Sequence, residues 1–411
     1  MRKKITSDLH QVRIHPSQLQ MGMYVCMLDR PWLDTPFLFQ GFLLSHEDDL
    51  FALRNLCEYL YIDLSLTRVD VSTLEPLKAI SRPGPQAHPI SVDIEQEIGR
   101  AGRAYRRSLS EIKALLQCVH DDQNIDVEAM ILAVRECLDS IIRNPSALLW
   151  LSRIKHVDQY TAEHCVNVGI QAMALGRHLG IGIKHIELLG ICGMLHDVGK
   201  MGLDQDVLNK AGRLTSEEVA HLRLHPVFGR DQLSKDPKVP QEVIKVAYSH
   251  HERMDGRGYP EKRPGHSLDF YVRAITIVDA YDAMTSKRCY SAGKSPAAAL
   301  KVLYSNIGTQ FDGNLVIKFI ECIGLYPPGS LVEMSSGEVG VVLSVDPRHR
   351  LAPKVSLLLD GQKRSMQQVI VDLRFEPPAS AGGMTVASVL PDGSHGIELE
   401  TFSLANINMV Q

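Results

Sequence analysis

The sequence predicts a mainly α-helical protein, a helical bundle preceded by a small α+β module and followed by a β appendage. Three observations predict it. Apolar residues recur every three or four positions from Val92 to about residue 326. Short apolar runs of β-type composition lie before and after that stretch. Proline-rich breaks, at 76–90 and at Pro327-Pro328, fall where the pattern changes.

In chain order, residues 10–70 alternate short β-like runs with turns. Met23–Leu28 and Tyr59–Leu64 read as strands, with a helix over His46–Glu58 between them. Pro76, Pro83, Pro85 and Pro89 give 76–90 the composition of a linker. From Val92 the residues Ile94, Ile98, Ala101, Tyr105, Leu109, Ile112, Leu116 and Val119 trace one helical face. A second helix spans about Asp126–Ile142 and stops before Asn144-Pro145. This pair either lies against the next domain or forms a dimer seam. Helices follow over Leu148–Leu151, Ala162–Leu179, Ile183–Leu195, Ser216–His225, Gln241–Ser249, Phe270–Thr285, Pro296–Ser305 and Gly313–Ile323. Thr215 and Glu218 have capping-box spacing. After the second break, Ser330–Met334, Gly340–Ser344 and Lys354–Leu359 read as strands, with turns at Ser336-Gly337 and Asp360-Gly361. The expected domains are 1–75, 76–146 (connector), 147–328 (helical) and 329–411 (appendage and tail).

Charge excludes one class of function. The 44 Lys+Arg nearly balance 48 Asp+Glu, which argues against a nucleic-acid binder living on phosphate neutralisation. The 45% hydrophobic content excludes a disordered chain. The basic N-terminus lacks the apolar core of a signal peptide, and no apolar run is long enough to span a membrane. Eight scattered cysteines without CxxC spacing read as reduced thiols. The expected location is therefore the cytoplasm.

Histidine is the unusual component. Ten of the 17 fall between residues 156 and 266, about a quarter of the chain. His196-Asp197 ends an apolar helix, and Lys200 lies one turn further. His164, His225, His250-His251 and Asp279 each sit on another predicted helix or helix end. Helical bundles build metal sites from side chains of facing helices. Imidazole and carboxylate without thiolate suit Fe, Mn or Zn.

These residues lie in specific strings: His196-Asp-Val-Gly-Lys200, His250-His-Glu-Arg-Met-Asp-Gly-Arg-Gly-Tyr-Pro260 and Asp279-Ala-Tyr-Asp-Ala-Met-Thr-Ser-Lys-Arg288. Residues of about 150–330 therefore resemble an HD-GYP domain, a branch of the HD phosphohydrolases. Residues of about 8–70, through Met21-Gly-Met-Tyr-Val, Pro31–Phe37 and Gln40-Gly-Phe, resemble a poorly characterised domain often found before it. The resemblance implies hydrolysis of cyclic di-GMP to pGpG and then GMP by two divalent cations, iron or manganese. One would take His164, His196, Asp197 and Asp279. The other would take His225, His250 and His251, with Asp197 bridging and a bridging water or hydroxide as nucleophile. Lys200 would stabilise added negative charge. Tyr259, Arg288 and Tyr290 would border the substrate, and Asp282 would orient a ligand or a basic residue. The Gly-Tyr-Pro loop could also receive diguanylate cyclase domains, and the N-terminal module would regulate or dimerise.

Three departures stand out. Some family members hold a third metal through a Glu one turn before the first His; here that position is Tyr160, which implies a binuclear site. Ser291 replaces a commonly basic residue, and Cys289 a common Pro. Competing functions are hydrolysis of another cyclic dinucleotide and a non-catalytic scaffold binding a nucleotide or cyclase. Degenerate members would lose ligands, and this chain keeps all seven.

Overall fold

The computed structural model describes residues 11–28, 42–69 and 88–397, apart from 46, 58, 65, 122, 124, 126, 155–159, 209, 211, 287–292, 347, 348, 350, 378–382 and 392. The chain divides into two compact units, 1–84 and 85–411.

In the first unit, β1 (Gln11–Ile14), β2 (Tyr24–Leu28), β3 (Phe42–Leu43) and β4 (Leu60–Asp63) form an antiparallel sheet in the order β1-β4-β2-β3. In β4, Leu60 and Ile62 point inward and Tyr61 and Asp63 are half-buried, the period-two alternation of a one-sided sheet. With Ile14, Val25 and Leu53 of α1 (Glu47–Leu56) they make a small core of their own. The Pro-rich segment expected as a linker lies outside the described residues up to residue 87.

The second unit is the helical bundle. Its connector helices α2 (Ile94–His120) and α3 (Val127–Arg143) pack against α4 (Pro145–Leu151) and α5 (Tyr160–Leu179). They therefore lie against the helices that follow. Buried Glu97 takes both bonds of a bidentate pair with Arg143, at 2.7 and 2.8 Å, which fixes α2 on α3. α5 is buried on almost every face and crosses α6 (Ile183–Leu195). A Cβ on Gly193 would stand 2.7 Å from the Cα of Gly169, so only glycine lets the two backbones approach this closely.

A 3-10 segment, Val198–Gly202, follows α6. Then come α7 (Gln205–Leu208), α8 (Ser216–Leu222), α9 (His225–Leu233), α10 (Gln241–Ser249), α11 (Phe270–Thr285), α12 (Pro296–Ser305) and α13 (Gly313–Ile323). Thr215 and Glu218 cap α8 reciprocally. The single helix expected over Ser216–His225 is broken after Leu222, and His225 opens a new one. The reason is Pro226, which sits in the first turn of α9. Its ring cannot follow a preceding helical turn but suits a helix start.

The appendage is an antiparallel sheet of β5 (Leu331–Met334), β6 (Val339–Ser344), β7 (Lys354–Leu359), β8 (Ser365–Asp372) and β9 (Val386–Leu390), in the order β8-β7-β6-β5-β9. Leu331, Val339, Val341 and Leu359 bury Trp150 of α4, which seats the sheet on the bundle. Strands β8 and β9 go beyond the three expected. β8 is largely exposed and β9 lies in a tail without clear alternation. Among the described residues, no helix is long and apolar enough to cross a membrane.

Candidate metal centre

The second turn of α5 carries His164, and the junction of α6 with the 3-10 segment carries His196 and Asp197. The start of α9 carries His225, the end of α10 carries His250 and His251, and α11 carries Asp279. These side chains converge as two adjoining groups, His164, His196 and Asp279 in one, and Asp197, His225, His250 and His251 in the other.

Asp197 faces both. Its Oδ2 lies 3.5 Å from His164 Nε2 and 3.3 Å from His196 Nε2. Its Oδ1 lies 3.5 Å from His225 Nε2 and 3.6 Å from His250 Nε2. Asp279 Oδ1 closes the first group, 3.0 Å from His164 Nε2 and 3.7 Å from His196 Nε2. Lys200 forms an ion pair with Asp197 Oδ2.

The imidazoles are fixed from behind. Nδ1 of His196 lies 2.7 Å from the Gly193 carbonyl, and Nδ1 of His225 lies 2.7 Å from that of Leu222. Nδ1 of His250 meets the carbonyls of Val246 and Ala247. Nδ1 of His164 lies 2.8 Å from Asp282, whose other oxygen accepts from Gln171 at 3.1 Å. With Nδ1 as donor, each Nε2 turns a lone pair inward.

Those lone pairs have little else to meet. His196 Nε2 and Asp197 Oδ1 are buried without a hydrogen-bond partner. His225 Nε2 stands 3.1 Å from His251 Nε2 and 3.3 Å from His250 Nε2. Nitrogens bound at right angles to one cation at about 2.1 Å stand about 3 Å apart. The donor set and its spacing fit a metal.

Electrostatics separates the two groups. Burial lowers His225 to about 3, and His250 adds to the effect; burial and His250 also push His251 well down. Both imidazoles are neutral at neutral pH. Burial opposes charge on His196 too, but Asp197 and Asp279 outweigh it and raise His196 to about 10. Against the same burial penalty, Lys200 and His196 hold Asp197 well below the usual carboxylate range, and His164 and His196 do so for Asp279. At pH 7.5 the metal-free cluster therefore keeps a proton on His196 that a metal must displace. Loading metal should release about one proton per chain from this site, read by calorimetry in buffers of different ionisation enthalpy. Buffer-independent heats would contradict this.

The loop after His251 forms the outer wall. Tyr259 stacks on His251 at 4.7 Å with 26° between planes, and its phenol is pushed up by burial. The Tyr259-Pro260 peptide is cis. Glu252, 1% exposed, accepts from the backbone N–H of Glu261 at 2.7 Å and of Arg263 at 3.0 Å. It thus ties both ends of the loop. Glu252→Ala should cost about 1–3 kcal/mol in urea unfolding, since it removes two charge-assisted hydrogen bonds to part-buried backbone donors. An unchanged midpoint would rule that role out. A cleft of about 250 Å³ opens beside this cluster, lined among others by His250, His251, Tyr259, Asp279 and Gln310.

Arg288 and Tyr290, with Cys289 and Ser291, lie outside the described residues. His221 stands apart from both groups, and its Nε2 accepts from the backbone N–H of Asp204 at 3.1 Å. His178 pairs with Glu321 and His185 meets Tyr271. Sequence reasoning assigned nothing to Glu252, Gln171 or Thr276, whose hydroxyl donates to the His250 carbonyl at 2.8 Å. Gln171 had a signal: seven residues after His164 it shares that helix face.

Comparison with known proteins adds an independent view. The model of a domain of unknown function, DUF3391, matches residues 11–130, and that of the HD domain matches residues 149–315. A cyclic di-GMP phosphodiesterase of Pseudomonas aeruginosa is 35% identical over 88% of this chain and 88% of its own length. A cyclic di-GMP phosphodiesterase response regulator of Xanthomonas campestris is 29% identical over 51% of this chain and 52% of its own. A 3'3'-cGAMP-specific phosphodiesterase of Vibrio cholerae is 29% identical over 41% of this chain and 36% of its own.

Proposed function

The chain belongs to the HD-GYP family of cyclic di-GMP phosphodiesterases, and from that membership we propose that it cuts cyclic di-GMP at a two-metal centre, first to pGpG and then to GMP. It is a metal-dependent phosphodiesterase. The observation that supports two metals is Asp197, which turns one carboxylate oxygen to each group of histidines. His164, His196, Asp197 and Asp279 would hold one cation. His225, His250 and His251, sharing Asp197, would hold the other. Nitrogen and oxygen donors without thiolate suit iron, manganese or zinc, and the family membership narrows the choice to iron or manganese.

Bound cations supply positive charge for the phosphate oxygens and the acidity that makes a nucleophile of water. The rest falls to the chain. Nδ1 bonds behind the imidazoles keep their lone pairs aimed inward without reorganisation. Lys200, already drawn to Asp197, adds a cation where negative charge grows on the phosphate. Tyr259, stacked on His251, excludes water from one side and borders the substrate with Arg288 and Tyr290. In this reading 147–328 is catalytic and 1–75 regulatory, with 76–146 as connector and 329–411 as appendage. Free cysteines among the described residues accord with a reducing compartment, the cytoplasm.

Purified without chelator, the protein should carry about two metal ions per chain and turn over cyclic di-GMP with Mn²⁺ or Fe²⁺. Fewer ions and no turnover with either metal would refute the reading. Cyclic GMP-AMP run in parallel tests the substrate named for the Vibrio relative. Nuclearity has its own test. Tyr160 opens α5, one turn before His164, where a third metal would need a carboxylate. Tyr160→Glu should raise metal content from about two toward three per chain by mass spectrometry; a wild type already holding three would overturn the binuclear assignment.

A further inference from the structure

Among the described residues, three guanidinium groups line the cleft beside the proposed metal ligands: Arg223, Arg253 and Arg257. They differ in what they meet. Arg253 is neutralised by Asp255, which accepts from its Nε at 3.0 Å and its Nη2 at 2.8 Å. Arg223 has no carboxylate partner among the described residues, whereas Arg257 lies near Asp255, which accepts from its backbone N–H at 3.0 Å; both arginines are exposed.

Arg223 is nonetheless held in place. It caps the end of α8, two residues before His225. Its guanidinium carbon lies 5.2 Å from the centre of the Tyr259 ring. That ring is the one stacked on His251. A guanidinium over an aromatic ring can stack by its flat face, which leaves its N–H edges for another partner. Free N–H edges in that planar array suit the paired oxygens of a phosphodiester.

The proposed substrate carries two phosphodiesters, and the metal centre cuts one at a time. The other needs a cation beyond the ligands. We infer that Arg223, assisted by Arg257, holds the phosphodiester that is not being cut, and so sets the preference for a substrate with two phosphates. The inference rests on the substrate reading above and deepens it. Arg223 touches no ligand atom of the metal groups, so its loss should weaken binding and spare the chemical step.

The test uses the full-length, metal-loaded protein and two substrates, cyclic di-GMP and bis(p-nitrophenyl) phosphate, which has a single phosphodiester. Arg223→Ala should raise KM for cyclic di-GMP about tenfold or more and change kcat less than about threefold. Its rate on bis(p-nitrophenyl) phosphate should stay within about twofold of wild type. Arg223→Lys keeps the charge and should recover part of the loss; Arg223→Ala with Arg257→Ala should raise KM further. Two results would overturn the inference while leaving the substrate reading intact. One is an unchanged KM in Arg223→Ala. The other is a parallel fall in kcat on both substrates, the mark of a structural role through Tyr259. If the wild type cuts bis(p-nitrophenyl) phosphate but not cyclic di-GMP, the substrate reading fails and takes the inference with it.

Discussion

On the two-metal reading, Asp197→Ala should strip both metals and abolish turnover. Bound metal should drop from about two ions per chain to well under one, and activity should fall on the order of 1,000-fold or more. The reason is geometric: Oδ2 stands among the His164 and His196 nitrogens, and Oδ1 among those of His225 and His250. Alanine removes a ligand from each group and also the negative charge that lets cationic centres sit side by side. His225→Ala removes a ligand from one group only and should keep about one metal. The fold should survive Asp197→Ala, because Lys200, its partner, is part-exposed and can turn to water. Circular dichroism and metal analysis on one preparation separate these effects. Retained activity with an intact fold would refute a shared carboxylate.

Gly199→Ala should be nearly as damaging, by another route. A Cβ there would stand 2.0 Å from the carbonyl oxygen of His225 and 2.3 Å from the amide nitrogen of Gly229. Both are backbone atoms, so no side-chain rotation relieves the clash. The start of α9 must move away from the 3-10 segment, and His225 moves with it. The expected cost is about 3 kcal/mol or more, at the upper end for an overpacked site. Thermal unfolding should show the loss, and metal content should fall first in the His225 group. A soluble Gly199→Ala protein with wild-type melting and metal content would contradict this packing.

The two variants also mark how legible the molecule was in its sequence. Helical periodicity located the long helices to within a residue or two, because the bundle buries continuous stripes such as Ile94, Ile98, Ala101 and Ile112 of α2. The helix expected to end at His225 ends at Leu222, and α9, to which no helix was assigned, begins at His225 with Pro226 in its first turn. β8 was missed because its residues run in blocks, Gln367-Gln368 and then Val369–Val371, and the adjacent Val369 and Ile370 are both exposed, so no apolar/polar alternation reveals the strand. At the site, the donor residues were legible as types and strings. Glu252 was read as part of a string; its work, tying the loop at Glu261 and Arg263, depends on a fold-back that spacing does not encode.

The sequence by itself determined the helical class, the quarter of the chain that holds the chemistry, and the family whose strings it carries. These are local properties: period, composition and short order. Only the tertiary structure decided which oxygen of Asp197 faces which histidines, and that Arg223 leans on the ring that covers His251. His164 and Asp282 meet across 118 positions of chain. Such encounters are set by how α5, α6, α9, α10 and α11 pack, and close backbone contacts at Gly193 and Gly199 permit that packing. Directions of side chains follow from packing, and packing is a property of the whole chain.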